Sequence, residues 1–499
     1  MQGLHKLLGR LSAAWRRDSR LAYEARVHRK KGQLEAAQKV AEDGLIRFPN
    51  SLALISECAE IASKQEKWAM VAHHWTKVLN APRTKVSAKH FQRIAFALRN
   101  QGEFAHADEV LHRGLEKFSA DRSLLNESAS LAMARRDWAG AELKWQQILA
   151  TAVDEPPFEA IIAISRARRN AKNFKGAEDI LQEALERFPR DVRILAECAT
   201  LENYRAPTSA PETRGATVVS RYAEIVVCVY NALPETEACL EALSAHVDSC
   251  HSITIVDDGS EPHVRDFLQT YVSQAANRRL LTNAHNLGYT KSANRGLRAA
   301  QKDWVVLLNS DALVTKGWLD GLLSCATSHE SIRAVGPLSN AAAFQSVPAG
   351  GSATAEVQTP RADEIERIAQ RIRSLSSRDY PKVPLLNGFC LMLHKPTLDE
   401  IGYLDEANFR SGYGEETDLC LRLLAAGHRL AIADDVYVYH SRSASFGLDR
   451  RKVLTTAAGK ALRQLWPGYN YRHITDVIED IPALRQLKEA AANYSGERN

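Results

Sequence analysis

WVVLLNSDALVTKGWL, residues Trp304 to Leu319, decides the fold. Trp304 to Leu308 is a run of apolar β-formers, the composition of a strand buried on both faces, and it leads straight into Asn309, Ser310 and Asp311. A carboxylate is thereby delivered to the carboxyl end of a buried strand, where open α/β sheets place their ligand chemistry. In that position Asp311 can hold a divalent cation, which a protein recruits to neutralise a leaving diphosphate. The alternative is a turn or helix N-cap aspartate after an ordinary core strand, and the stretch alone leaves both open.

Working upstream, EIVVCVYNA from Glu224 reads as a strand and Glu235 to His246 as a helix. SITIVDDGS is a second strand ending at Asp257 and Asp258, with a helix through Val272 after it. A strand near Arg279 to Leu281 and a helix from Lys291 to Ala300 lead into Trp304. This alternation predicts an α/β domain with a mostly parallel sheet and helices on both faces. Acidic residues then fall at the carboxyl ends of two neighbouring strands, with Tyr230 and Asn231 ending the first. Such a pocket can stack a base and hydrogen-bond its edge. Neither the GxGxxG of a dinucleotide site nor a Walker loop is present.

Further upstream the periodicity changes. Residues 205–223, with RAPTSAPETRGAT, have the proline, serine and threonine content of an exposed linker. Before it the chain is repetitive: Leu34, Phe104 and Phe174 lie 70 residues apart, as do Phe48, Phe118 and Phe188, and Glu57, Glu127 and Glu197. Trp68 and Trp138 divide each period into two helical hairpins of about 35 residues. GQLEAA at Gly32, GEFAHA at Gly102 and the closures RFPN at Arg47 and RFPR at Arg187 resemble a tetratricopeptide array. Residues 1–204 are therefore expected to form an all-α solenoid whose surface serves a protein partner. The opening helix, with Leu4, Leu7, Leu8, Leu11 and Trp15 on one face and basic residues elsewhere, reads as a capping helix or as a peripheral membrane contact.

The whole composition sets bounds. A chain of 499 residues suggests about two to four domains, and 45% hydrophobic with 25% charged residues is ordinary for a globular protein. The net charge of +5 is unevenly placed: residues 1–205 carry 34 Lys/Arg against 26 Asp/Glu. That favours anionic partners such as acidic glycans or a membrane surface, and no motif calls for nucleic acid. The eight cysteines are scattered without metal spacing, as small buried hydrophobes in a reducing compartment. No apolar run reaches the ~18–20 residues of a membrane span and no leader pattern opens the chain, so the expected location is the cytoplasm, including the inner face of the membrane.

VYNA at Val229, VDDGS at Val256, NLGYTKSANRG at Asn286, LLNSDALVTKGWL at Leu307, LNGFCLML at Leu386, GYGEETDLCLRLLAAGHRL at Gly412 and VYVYHSRSASFG at Val436 occur in one order. Together they resemble a family 2 glycosyltransferase of the GT-A fold. The resemblance implies a catalytic domain over 224–470, followed by a helical tail over 471–499. It implies nucleotide contacts from Tyr230, Asn231, Asp257, Asp258, Asn286, Gly288, Asn294, Asn309 and Ser310. Asp311 takes the chief place in the DxD-type metal motif, because Asn309 replaces the first carboxylate, and His440 matches a late second ligand for Mg2+ or Mn2+. Glu416 aligns with the catalytic base, usually an aspartate. Glu415 and Gly388 face the acceptor, and Asp418 with Arg422 orient the helix. Residues 339–382, poor in strand signals, are expected to form a mobile flap or acceptor loop where specificity is set.

The expected reaction is an inverting, metal-dependent transfer of a sugar from a nucleotide-diphosphate donor to a glycan acceptor, lipid-linked in one version, during O-antigen or capsule assembly. The rivals are a protein glycosyltransferase whose solenoid grips a polypeptide, and an assembly scaffold with a degenerate transferase domain.

Overall fold

The computed structural model describes residues 17–82, 84–151, 157–205, 222–347, 360–410, 412–441 and 448–496. The basic opening helix, most of the linker, the middle of the expected flap and the SASFG part of the last motif lie outside the described residues. The chain forms two compact units, Met1–Ala177 and Glu178–Asn499.

The first unit is all helical. Leu34–Arg47, Leu52–Lys64, Trp68–Asn80, Ala88–Asn100, Phe104–Lys117, Arg122–Ala134, Trp138–Ala150 and Phe158–Asn170 each pack on the next. The period seen in sequence has two physical causes. Among the described residues the hairpins close through a left-handed residue two places before the second helix: Gly32, Glu66, Gly102, Arg136 and Lys172 have positive φ, ahead of Leu34, Trp68, Phe104, Trp138 and Phe174. The recurring glutamates are buried charge anchors. Glu57, 1% exposed, accepts Arg29 Nε at 2.5 Å and Arg26 Nε at 3.2 Å, and Glu127 accepts Arg99 Nε at 2.6 Å, 70 residues after Arg29.

The second unit carries β1 (Ala223–Val229), β2 (Ser252–Asp257), β3 (Arg278–Thr282), β4 (Trp304–Asn309), β5 (Ala312–Leu313), β6 (Ile332–Leu338), β7 (Cys390–His394), β8 (Arg429–Tyr437) and β9 (Tyr439–His440). Seven of them form one sheet in the order β3-β2-β1-β4-β7-β6-β8, and β5 pairs with β9. Every pairing in the large sheet is parallel except those of β7, which runs antiparallel to β4 and β6. The expected mostly parallel sheet with helices on both faces holds, and the reversed strand is LNGFCLML, whose apolar run carries no mark of direction. Val226, Val256 and Leu307 point into one hydrophobic layer with Ala293 and Leu297; Val227, Ile255 and Leu308 point into the other with Leu240 and Leu322.

This unit also takes in the helix Val192–Leu201, whose Val192 and Leu195 join the first of those layers together with Trp466 and Ile474. Asn203 pairs both ways with the Lys382 backbone, at 2.7 and 2.8 Å. Helices Leu448–Leu465, Tyr471–Glu479 and Pro482–Gly496 close the chain.

Candidate active site

Three parallel strands end side by side, with Val229 opposite Asp257 and Cys228 opposite Asn309. Beyond β1 the chain turns sharply through Asn231 and Ala232, both left-handed at φ 55° and 50°, leaving Tyr230 exposed. Asn231 binds the neighbouring loop: its N–H donates to Ser260 Oγ at 3.0 Å and its Oδ1 accepts from Glu261 N at 2.9 Å.

The two aspartates ending β2 build the walls of this cleft. Asp257, fully buried, accepts Ser260 N–H at 2.8 Å and Arg265 Nε at 3.2 Å. Asp258 accepts three N–H groups: Asn283 Nδ2 and Leu287 N on Oδ1, both at 2.8 Å, and Gly288 N on Oδ2 at 3.0 Å. Asn286 Oδ1 also accepts Gly288 N–H, at 3.0 Å. Gly288 itself has φ 89°, and a Cβ there would stand 2.8 Å from the Arg410 carbonyl oxygen, so no other residue fits without displacement. Asn294 is tied to its own chain. It has no exposed surface, and its amide joins Leu404 N, Leu404 O and Glu406 Oε1 at 3.0, 2.8 and 2.6 Å. Its task in this fold is to tie the helix Tyr289–Ala299 to the loop at 404–406.

Asn309, Ser310 and Asp311 leave β4 half-buried. The β5–β9 ribbon sets Ala312 opposite His440 and brings His440 Nε2 to 3.3 Å from Asp311 Oδ1. The imidazole lies stacked on Phe389, with ring centroids 5.0 Å apart, while its Nδ1 is 3.3 Å from the Ala341 carbonyl oxygen and its backbone N–H donates to Asn340 Oδ1 at 2.8 Å. With its proton on Nδ1, donated to that carbonyl, the imidazole would present the Nε2 lone pair on the carboxylate side, the usual support for a metal-ligating histidine. Two acceptors facing each other fit a cation between them. Among the described residues no three His, Cys, Asp or Glu gather into an all-protein cage. A carboxylate and an imidazole are a donor pair that an ion such as Mg2+ or Mn2+, completing its shell with phosphate and water, would accept.

The acidic helix Glu415–Ala425 starts at Gly414, φ 100°, against Phe409 and Ala458. Burial, and then the neighbouring Glu416, hold the Glu415 carboxyl well above the usual carboxylate range; the side chain is 6% exposed and its Oε2 is buried without a hydrogen-bond partner. Burial also raises Glu416, against the opposing pull of the N–H groups at its own position, Gly414 and Thr417. Gly388 comes close to Glu416: a Cβ there would lie 3.3 Å from Glu416 Cβ.

Burial first, then the charges of Cys228, Glu415, Glu416 and Asp311, push the Tyr289 phenol well above its ordinary value. The phenols of Tyr469 and Tyr471 are raised by burial and, in part, by Glu416.

Residues 221–455 match the family described as Glycosyltransferase like family 2. They form a family 2 glycosyltransferase domain. The glycosyltransferase domain is similar to that of an N-acetylglucosaminyl-diphospho-decaprenol L-rhamnosyltransferase of Mycobacterium tuberculosis, 28% identical over 246 residues, or 45% of this chain and 78% of that protein. It is also similar to a pre-mycofactocin glycosyltransferase of the same species, 25% identical over 193 residues, covering 38% of this chain and 37% of that one. A solved mannosyltransferase from Pyrobaculum calidifontis, in complex with GDP-Man and Mn2+, aligns with 64% of this chain and 87% of its own at 16% identity and a TM-score of 0.38.

Within the glycosyltransferase domain the structure links Asp311 and His440, through Phe389 stacked on that histidine, to Gly388 against Glu416. It gives Asp257, Asp258 and Asn294 internal partners instead. Sequence reasoning missed Tyr289 and Trp466. Tyr289 had a signal, an aromatic just after the loop glycine of NLGYTKSANRG. Trp466 had none, because its partner lies 48 residues away.

Proposed function

We propose that the enzyme transfers a sugar, with inversion, from a nucleoside-diphosphate donor to a hydroxyl of a glycan acceptor in surface polysaccharide assembly. The observation that carries this reading is the run of contacts from Asp311 to His440, from His440 to Phe389, and from Gly388 beside it to Glu416, just past the end of β4. Tyr230 offers a ring for the base, and the loop held by Asp258 lines the cleft beside it. Glu416 takes the proton of the attacking hydroxyl: burial makes it a stronger base than an exposed carboxylate, and the Gly414 N–H, 3.1 Å from Oε2, fixes its direction. Glu415, whose Oε2 is buried without a hydrogen-bond partner, is the neighbouring carboxyl assigned to the acceptor side. Asp311 and His440 would hold Mg2+ or Mn2+, which when bound supplies positive charge to the departing diphosphate.

The rhamnosyltransferase similarity makes dTDP-rhamnose the first donor to try, and a polyprenyl-diphosphate-linked sugar the first acceptor. A panel of nucleotide sugars, screened by thermal shift and then by turnover, identifies the donor. Turnover should require the metal and fall by at least about a hundredfold in Asp311→Ala and in Glu416→Gln. Unchanged turnover in both variants would sink the mechanism.

A further inference from the structure

Asp418 lies one turn into the acidic helix, 4% exposed, and both of its oxygens are occupied. Oδ2 accepts Arg422 Nε at 2.8 Å, and Arg422 reaches on to the carbonyl oxygens of Ile401, Gly402 and Tyr403. Oδ1 accepts Trp466 Nε1 at 2.9 Å. A buried indole N–H needs an acceptor and a buried carboxylate needs donors, so each fixes the other.

Trp466, 1% exposed, is held from its other side by a segment more than 270 residues upstream. The Arg190 guanidinium lies 4.4 Å over its ring, and Arg190 Nη2 donates to the Leu465 carbonyl at 3.2 Å. Val192 N–H donates to the Pro467 carbonyl at 3.0 Å. Gly468 packs so tightly on the same segment that a Cβ would come 2.7 Å from Arg193 Nε and 3.0 Å from Asp191 Oδ1. These contacts place the end of one helical hairpin, Arg190 to Val192, in a continuous path through Trp466 and Asp418 to the turn that carries Glu415 and Glu416.

We infer that Trp466 is a positioning residue for the Glu415/Glu416 pair, acting through Asp418 and set in place by Arg190 and Val192. The inference rests on the proposed role of Glu416, so the test needs one readout that does not depend on chemistry. Trp466→Phe in the full chain keeps an aromatic ring against Arg190 and removes only the N–H. Two quantities are measured: backbone hydrogen–deuterium exchange without ligand, and kcat and donor KM with the donor that turns over in the panel above. The expected result is faster exchange in Glu415–Ala425 with β1 amides as in the parent, and kcat lowered about tenfold at unchanged donor KM.

Unchanged exchange in Glu415–Ala425 overturns the inference, as does an equal loss of protection in β1, which would mark a general loosening. Donor KM rising in step with the fall in kcat also overturns it. Faster exchange confined to Glu415–Ala425, found together with full turnover in Glu416→Gln, would remove the base assignment and leave the positioning path standing.

Discussion

Asp258→Asn separates a carboxylate that builds a loop from one kept for a nucleotide. The two side chains have the same shape, so packing is preserved while hydrogen bonding changes. With the asparagine oxygen in the Oδ1 position, the bonds from Asn283 Nδ2 and Leu287 N survive as neutral pairs, but the amide NH2 now faces the Gly288 N–H, donor against donor. Turning the amide over only moves the conflict to the other two donors. A hydrogen bond to a charged acceptor contributes about 1.5–3 kcal/mol and a neutral one about 1 kcal/mol. Losing the first and weakening two others should cost about 2–4 kcal/mol, because the group is too buried for water to compensate. Urea unfolding of the ligand-free chain, followed by tryptophan fluorescence, reads this directly. If stability stays within about 0.5 kcal/mol of the parent and only donor KM rises, the loop-anchor reasoning is refuted.

Glu415→Gln should change the pH dependence of stability. Because the folded carboxyl lies well above its ordinary value, the native chain holds a proton that the unfolded chain has lost, so stability is intact below the unfolded value and falls as pH rises through the elevated one. The glutamine variant lacks that loss, and its melting temperature relative to the parent should rise between about pH 5 and about pH 8. Gly296→Ala would bring a Cβ to 2.3 Å from Val226 Cγ1. Overpacking of about 1–3 kcal/mol should then outweigh the ~1 kcal/mol that alanine adds to a helix, lowering the melting temperature by a few degrees, and Val226→Ala should restore part of it. A chain starting at Glu178 should remain folded, whereas one starting at residue 206 loses Val192 and Leu195 from the core and should melt lower or precipitate; equal melting curves would contradict the packing described.

The fold was legible wherever burial leaves a local mark. Trp304 to Leu308 reads as a strand because both of its faces are covered, and the 70-residue period reads as hairpins because each turn and each Arg–Glu anchor recurs with it. The direction of β7 was not legible, since an apolar run has no polarity. At the site, Asp311 and His440 could be picked out as types but not as neighbours: their approach depends on a two-residue ribbon pairing residues more than 120 apart. The partners of Asp258 and Asn294 were hidden for the same reason. An aspartate or asparagine at a strand end or helix start looks alike in sequence whether it meets a ligand or its own chain, and only the fold brings Gly288, Leu404 and Glu406 to those side chains.

The β5–β9 ribbon also governs when the enzyme comes into being. Strands β1 to β4, which wall the nucleotide cleft, are made from about 85 consecutive residues and can pair as they leave the ribosome. His440, Glu415, Glu416 and Trp466 follow much later, and until they arrive Asp311 has no histidine across from it. A nascent or truncated chain can therefore form β1 to β4 before the residues of the acidic helix and of β9 exist.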